Sequence, residues 1–393
     1  MTTQVLHTNY AGQRGALFWL ALKTSALTVL TLGMYRFWMK TRLRRYYWSS
    51  IRLGGIPLEY TGTGVEKFMG FLVAVVVLAF YIGVFNLILM FFSYSVLNNS
   101  ILAYVASFVG VIPIYFYAQY RARRYVLART RWRGLRFGID PGAWGYTWRA
   151  ILHWLATILT LGLLLPRQMF WLEKYRTDRT WFGGAKFTQD GTWRILLKPA
   201  MHFYIGTALN ILAAVGLYFD TAFAGLFAIA YPWWMFGLIH LQFRGFRVLT
   251  WHKRLGNDIA LRATVSTWKM IGIYLLGSFL IYLILMAVFA IGAIIFAIIA
   301  SAGGLSADFG ASFNGSGPPD PAIIGLFALG YFSMFVLLGV LTQVFITFPM
   351  MRHYAESLSI NNAHLLAEIT QRPRDEFAEA EGFADALDIG AAI

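Results

Sequence analysis

The chain has 393 residues, of which 58 % are hydrophobic and only 13 % are charged, and its formal net charge is +15. Soluble domains usually carry about 25 % charged residues, so this composition excludes an ordinary soluble protein and indicates lipid as the main solvent. We expect no nucleic-acid partner, because the chain offers no polar domain to carry the binding motifs. Since cysteine is absent, disulfides, thiolate nucleophiles and thiolate metal sites are excluded.

Apolar segments of membrane-spanning length recur along the chain. The first, Ala16–Tyr35, follows a polar run without a cleavage signal, so we expect it to be retained. This segment and Ile151–Pro166 are barely long enough to cross a hydrocarbon core that requires roughly 20 helical residues. Longer candidates, in chain order, are Phe68–Phe92, Ile101–Ala118, Phe203–Phe219, Ala222–Leu241, Trp268–Ala300 and Ala322–Phe348.

Basic residues are distributed unevenly among these segments. None occurs from Phe68 to Tyr120, from Pro199 to Phe243 or from Met270 to Met351. Because Lys and Arg are retained on the cytoplasmic side, this distribution predicts three hairpins of two spans each, with both termini cytoplasmic in a bacterial inner membrane.

An internal repeat bears on the two short segments. Thr28–Gly33 (TVLTLG) returns as Thr157–Gly162 (TILTLG), and a motif of basic residues, tyrosine and glycine follows each hydrophobic unit. If all these motifs lie on the same side of the membrane, each short segment makes no net crossing of the membrane. It is then re-entrant or interfacial. The alternative, eight true spans, places two arginine-rich segments outside.

The predicted fold is therefore an all-α polytopic membrane protein. It has six full transmembrane helices in three hairpins, two short re-entrant or interfacial helices, internal repeats and short cytoplasmic β-segments. The predicted divisions are a first repeat (1–142), a second repeat (143–266), an expanded hairpin (267–351) and an acidic cytoplasmic tail (352–393).

Two long blocks carry a family resemblance. LTLGMYRFWMKTRLRRYYWSSIRLGG…LEYTGTG and LTLGLLLPRQMFWLEKYRTDRTWFGG…FTQDGTW resemble the YjgN family of uncharacterised bacterial inner-membrane proteins. The resemblance implies the location and the fold, and brings no activity, catalytic residue or cofactor. The second block departs from the first at Leu165, Trp171 and Glu173, where the first has arginine.

Arginines interleaved with aromatic residues form two bands beside the predicted spans. Basic clusters next to a membrane helix bind anionic lipid, at about 1 kcal/mol per residue. The alternative is that these arginines only keep their segments on the cytoplasmic side of the membrane, with long side chains that extend to the interface. The headgroup candidates are Arg42, Arg44, Arg45, Tyr46, Trp48, Arg52, Arg121, Arg123, Arg124, Tyr125, Arg131 and Trp132.

Uncharged polar residues within the spans provide a second set of candidates. They could line a polar path, although hydrogen bonds between helices explain them equally well. The polar-path candidates are Asn86, Thr207, Asn210, Thr342, Gln343 and Thr347.

The sequence contains no recognisable enzyme motif, and we expect neither catalysis nor a cofactor. His364 and Glu368 form too small a set for a metal site. The acidic tail, with Phe377 and Phe383, either docks on the basic face or is disordered. The first functional hypothesis is a passive channel or permease-like protein for an unknown solute. The alternative is a non-transporting scaffold that binds anionic membrane lipids; a homo-oligomer is compatible with both.

Overall fold

The computed structural model describes residues 5–97, 100–256, 258–302 and 321–373. Its helices are α1 (Arg14–Leu30), α2 (Arg36–Ser50), α3 (Gly64–Phe80), α4 (Asn86–Leu97), α5 (Ser100–Ala128), α6 (Ala143–Leu159), α7 (Leu165–Thr177), α8 (Leu197–Gly216), α9 (Phe227–Trp251), α10 (Thr267–Ala302), α11 (Pro321–Thr342) and α12 (Phe348–Ser357). π-Helical segments occur at Tyr81–Phe85 and Gln343–Thr347, and 3₁₀ segments at Trp193–Leu196, Thr221–Leu226 and Ala363–Glu368.

Short strands follow five of these helices and the N-terminus. They are β1 (Leu6–Tyr10), β2 (Ile51–Leu53), β3 (Ile56–Pro57), β4 (Glu59–Tyr60), β5 (Thr130–Trp132), β6 (Leu135–Ile139), β7 (Thr180–Phe182), β8 (Ala185–Gln189), β9 (Lys253–Leu255), β10 (Ile259–Ala263) and β11 (Leu358–Asn361). The basic and glycine-containing motifs of the sequence thus form the end of a helix and the β-structure that follows it.

The eleven strands form one antiparallel sheet, in the order β3-β2-β1-β11-β10-β9-β8-β7-β6-β5-β4. Its two edge strands, β3 and β4, are separated in sequence by Leu58 alone. The Leu58 N–H donates to the Ile51 carbonyl at 3.0 Å. The sheet therefore nearly closes on itself, which leaves little unpaired edge.

The inside of this sheet is an apolar core. Alternate residues of each strand point inward. Trp132 and Phe182 are 2 % and 1 % exposed, and their ring centroids lie 5.4 Å apart. Further core residues are Leu6, Leu53, Leu58, Leu135, Phe137, Phe187, Leu255, Ile259, Leu261, Ile360 and Leu366. These side chains pack against one another in one cluster.

The all-α fold class is therefore wrong. The sequence predicted only short β-segments around Leu58–Gly64 and Lys186–Gly191, whereas strands from six parts of the chain build one sheet. Each strand has two to five residues, too few for a clear alternation of apolar and polar positions. The pairing between β1 and β11 brings Leu6 opposite Ile360, which is more than 350 residues away in sequence.

The count of six full spans also needs correction. Five helical stretches of the described residues are long and apolar enough to cross a membrane: Gly64–Ser95, Trp193–Gly216, Thr221–Trp251, Thr267–Ile298 and Phe327–Ser357. The second of the six predicted spans, Ile101–Ala118, lies in α5, which is not one of these five stretches.

The two short apolar segments each form a helical hairpin with the same turn. Gly33 in the first and Gly162 in the second have φ of +91° and +89°, and the N–H of each donates at 2.7 Å to the Thr28 or Thr157 carbonyl. Only glycine adopts this conformation at little cost, so the LTLG sequence ends α1 and α6 alike.

The chain divides into two compact units. One comprises the described residues among 1–11, 48–267 and 354–393, and contains the whole sheet with α3 to α9. The other comprises 12–47 and 268–353, and contains α1, most of α2, nearly all of α10, and α11. Both units are discontinuous in sequence. The predicted division at residues 142, 266 and 351 stays a prediction.

Candidate functional site: an arginine-lined cavity

A cavity of about 110 Å³ lies on the outer face of the sheet, the face opposite the apolar interior. β5, β6 and β7 form one wall, and the end of α5 forms another. Its volume exceeds the ~30 Å³ share of a single water, so it has room for a small anion. The charged and aromatic residues that line it are Arg124, Arg129, Arg131, Arg136, Arg372, Asp140 and Trp181.

The sheet register places two of these arginines directly opposite each other. Arg131 on β5 pairs with Arg136 on β6. Like charges opposite each other destabilise a sheet, so an anion shared between the two arginines would stabilise this pair. Glu59 on β4 is paired with Arg131 on the other side of β5. Among the described residues neither arginine has a salt bridge, and the buried Nε of Arg131 has no hydrogen-bond partner. This pair is therefore suited to bind an anion.

The other arginines of the cavity have partners. Arg129 Nε lies 3.2 Å from Glu66 Oε2, and Tyr125 donates to the same oxygen at 2.9 Å. Arg124 is only 8 % exposed. Burial, reinforced by Tyr60 and Glu66, raises the pKa of Tyr125 far above its usual value, so its hydroxyl stays a donor at neutral pH.

A segment from the end of the described chain covers one side of the cavity. Arg372 lies 3.2 Å from Asp140 Oδ1 and stacks over Trp181 at 4.6 Å. The same carboxylate oxygen accepts from Trp181 Nε1 at 2.7 Å. Gln371 Oε1 accepts from the Arg136 N–H at 2.8 Å. Asp140 is thus occupied by Arg372 and Trp181, and the cavity keeps an excess of positive charge.

Only two of the predicted headgroup residues, Arg124 and Arg131, line this cavity. Trp132 lies inside the sheet, where no headgroup can reach it, and Tyr125 is fully buried. Arg44 is also buried, and Arg123 faces the carboxylate of Glu173. The remaining candidates lie elsewhere: Arg42, Arg45, Tyr46, Trp48, Arg52 and Arg121.

Sequence reasoning missed Asp140, Trp181, Gln371 and Arg372. One sequence signal pointed to Asp140. It is followed by Pro141 and Gly142, and Asp-Pro-Gly is typical of a turn at the end of a strand. The sequence places Arg372 in the acidic tail, whereas in the structure the chain up to Pro373 lines the cavity on the sheet. Phe377 and Phe383, on which the tail prediction rests, lie outside the described residues.

The polar-path candidates with described hydrogen bonds have protein partners. Asn210 Nδ2 donates to the Ala230 carbonyl across α8 and α9 at 3.0 Å, and Gln343 Oε1 accepts from Tyr47 at 2.8 Å. Thr207 and Thr342 donate to carbonyls of their own helices. The Asn86 side chain lies outside the described set. The Asn210 and Gln343 bonds favour packing between helices over a polar path.

Five candidate spans and a nearly closed sheet are the features of a polytopic membrane protein that also contains a β-domain. The chain matches a family described as "Bacterial protein of unknown function (DUF898)" over residues 5–386, and belongs to that family. It is also similar to "Inner membrane protein YjgN" of Salmonella typhimurium, with 27 % identity over 140 residues. The match covers 35 % of this chain and 33 % of that protein, about a third of each. The predicted family is confirmed. No solved structure matches the chain.

Proposed function

We propose that the chain is a non-catalytic protein of the bacterial inner membrane that binds the phosphate groups of anionic lipids in its arginine-lined cavity. The observation that carries this proposal is the Arg131–Arg136 pair, two cations held opposite each other on β5 and β6. Among the described residues neither forms a salt bridge, although Glu59 on β4 is the other cross-strand neighbour of Arg131. Guanidinium groups bind phosphate oxygens in a bidentate manner, so one phosphate offsets the repulsion within the pair.

The membrane location is supported by the five candidate spans and by the name of the relative. We propose further that the helical hairpins α1–α2 and α6–α7 are diverged copies that enter the membrane from the cytoplasmic side without crossing it. Their turns expose large apolar side chains: Leu30, Leu32 and Met34 in the first, and Leu159, Leu161 and Leu163 in the second. Exposed leucines at a turn are costly in water and favourable in lipid.

Helix α6 supports the same arrangement. Trp144, Trp148, Leu152, Leu155 and Leu159 recur at spacings of three or four residues, and each is more than half exposed. They form one stripe on the helix, with tryptophan at its start and leucine near the turn. Tryptophan favours the headgroup layer and leucine the hydrocarbon, so the stripe is suited to a helix that descends from the interface. Among the described residues, no contact or cavity favours a passive channel over a lipid-binding protein.

Replacing Arg131 and Arg136 together with glutamine should weaken binding of phosphatidylglycerol roughly tenfold or more. A hydrogen bond to a charged group contributes about 1.5–3 kcal/mol, and each 1.4 kcal/mol is a factor of ten in affinity. Binding is measured by titrating the purified protein with nanodiscs that contain phosphatidylglycerol, and separately with inorganic phosphate.

The matched control is Arg254→Gln with Arg262→Gln, which removes the same charge from exposed positions of the sheet that do not line the cavity. The control should retain most of the binding. Equal losses in the two double variants would show non-specific charge attraction and overturn the proposal. Binding of inorganic phosphate alone would assign the cavity to a soluble anion and overturn the lipid part of it.

The proposed topology is tested with single cysteines in a chain that has none of its own. Thr188 on β8 and Thr221 at the α8–α9 connection are both exposed, so the two Thr→Cys changes are matched. Because Lys and Arg accompany the sheet and avoid the α8–α9 connection, we expect a membrane-impermeant maleimide added to intact spheroplasts to label Cys at 221 and not at 188. The reverse pattern, or labelling at both positions, contradicts the proposed orientation.

A further inference from the structure

The compact unit that contains α1, α10 and α11 has an open groove of about 470 Å³. Phe18 of α1, Ile284 and Val288 of α10, and Leu337 and Leu341 of α11 line it, and Arg14 is its one charged lining residue. The volume lies within the range of about 300–1,000 Å³ that is common for ligand pockets. The groove is therefore large enough for an extended hydrocarbon chain.

The surroundings of the groove identify what fills it. α10 and α11 contribute to two of the candidate spans, so the groove borders the hydrocarbon of the membrane. Water has no hydrogen-bond partners along such a wall. Apolar contact by itself selects no particular lipid, because bulk acyl chains are as apolar as the groove. Any preference for one lipid over another must therefore come from contacts with the headgroup at the polar end of the groove.

Arg14 supplies that polar end. It is the first residue of α1 and is exposed, and its guanidinium lies 5.8 Å from the centre of the Phe348 ring. Among the described residues it has no salt bridge to a carboxylate. The guanidinium therefore provides an available positive charge beside an apolar wall, the complement of an anionic phospholipid.

The start of α1 adds a second attraction for an anion. Its N-cap residue, Gln13, makes no side-chain cap hydrogen bond, and the first turn contains no acidic residue. The N–H groups of a first turn carry a partial positive charge and bind phosphate. Gly15 also lines the groove, and a Cβ added there would meet no atom within 4 Å. The backbone next to Arg14 is consequently open to a headgroup.

We propose that this groove binds one acyl chain of an anionic glycerophospholipid, with the lipid phosphate at Arg14 and the first turn of α1. The site is separate from the arginine-lined cavity and uses none of its residues. It holds a lipid by its chain and its phosphate together, whereas the cavity binds a phosphate group alone. A substitution can therefore remove lipid binding at one site and leave binding at the other unchanged.

Native mass spectrometry of the protein in detergent, supplied with phosphatidylglycerol or phosphatidylcholine, tests the site. The measurement uses the Arg131→Gln, Arg136→Gln background, in which binding of lipid at the cavity is weakened. Arg14→Gln should lower the preference for phosphatidylglycerol over phosphatidylcholine roughly fivefold, the ratio that corresponds to about 1 kcal/mol for one interfacial arginine. Lys23→Gln, an exposed cation on the same helix that does not line the groove, is its matched control.

A second variant tests the groove without removing charge. Gly15→Leu places a side chain into open space at the groove and should reduce the retention of both lipids. Gly330→Leu on α11 adds the same side chain where a Cβ also meets no atom, outside the lining, and should change nothing. The proposal is overturned if Arg14→Gln keeps the full preference, if Gly15→Leu retains both lipids as before, or if the background protein shows no preference.

Discussion

Replacing Gly206 or Gly237 with alanine should destabilise the α8–α9 hairpin by about 1–3 kcal/mol, the usual cost of overpacking a tight interface. A Cβ on Gly206 would lie 2.5 Å from Trp234 Cα, and one on Gly237 would meet the backbone of Phe203. Both neighbours are main-chain atoms, which cannot rotate away as a side chain does. Small residues let membrane helices approach closely, and the Asn210 bond to α9 depends on that approach.

Gly272→Ala on α10 is the matched control, since a Cβ there meets nothing within 4 Å. In an open helical position alanine is favoured over glycine by about 0.5–1 kcal/mol, so this variant should be neutral or slightly more stable. Apparent melting temperatures in detergent, followed by near-ultraviolet circular dichroism, provide the comparison. If Gly237→Ala melts no lower than Gly272→Ala, the close crossing of α8 and α9 is wrong.

The helices were more predictable than the sheet because their signals are local. A run of apolar residues indicates a membrane helix without knowledge of its neighbours, and the LTLG sequence marks the turns at Gly33 and Gly162. A strand such as Thr130–Trp132 offers only three residues. Its inward tryptophan is flanked by arginines, a pattern that is also typical of the headgroup layer of a membrane. The sequence therefore predicts that Trp132 contacts lipid.

The cavity was only partly predictable for the same reason. Arg131 and Arg136 are five residues apart, and the Arg-Gly turn between them would have placed them opposite each other once a hairpin was recognised. Trp181 and Arg372 come from distant parts of the chain. The β6–β7 pairing brings Trp181 beside Asp140, and the segment after the last 3₁₀ helix brings Arg372 there. Positive charge at this site was visible in the sequence, whereas its arrangement around a cavity was not.

The largest electrostatic effect that we expect comes from Glu173 on α7. Its carboxylate lies 2.5 Å from Lys253 Nζ and 2.8 Å from the Arg176 guanidinium, and the charge of Arg123 also acts on it. Burial alone would raise the pKa of the Glu173 carboxyl, but the three cations together hold it well below its usual range. The first sequence block has Arg44 at the matching position, so the acid occurs only in the second block.

Glu173→Gln should therefore destabilise the protein by roughly 3 kcal/mol, near the lower end of the cost of breaking a buried ion pair. The variant leaves three cations facing one another without a counter-charge. Asp190→Asn is the matched control, because Asp190 pairs with Arg254 and both side chains are about half exposed. Such an exposed pair contributes only about 0–1 kcal/mol. Apparent melting temperatures of the two variants at pH 7 make the comparison.

The pH dependence gives an independent check on Glu173. A carboxyl whose pKa is lower in the folded state stabilises the fold above its unfolded pKa, about 4.3 for glutamate, and loses this contribution as the pH falls toward the folded value. The difference in melting temperature between the wild type and Glu173→Gln should thus be constant at neutral pH and narrow once the pH drops below about 4.3. A difference that is absent at pH 7, or that widens in acid, would show that Glu173 is not the counter-ion of Lys253, Arg176 and Arg123.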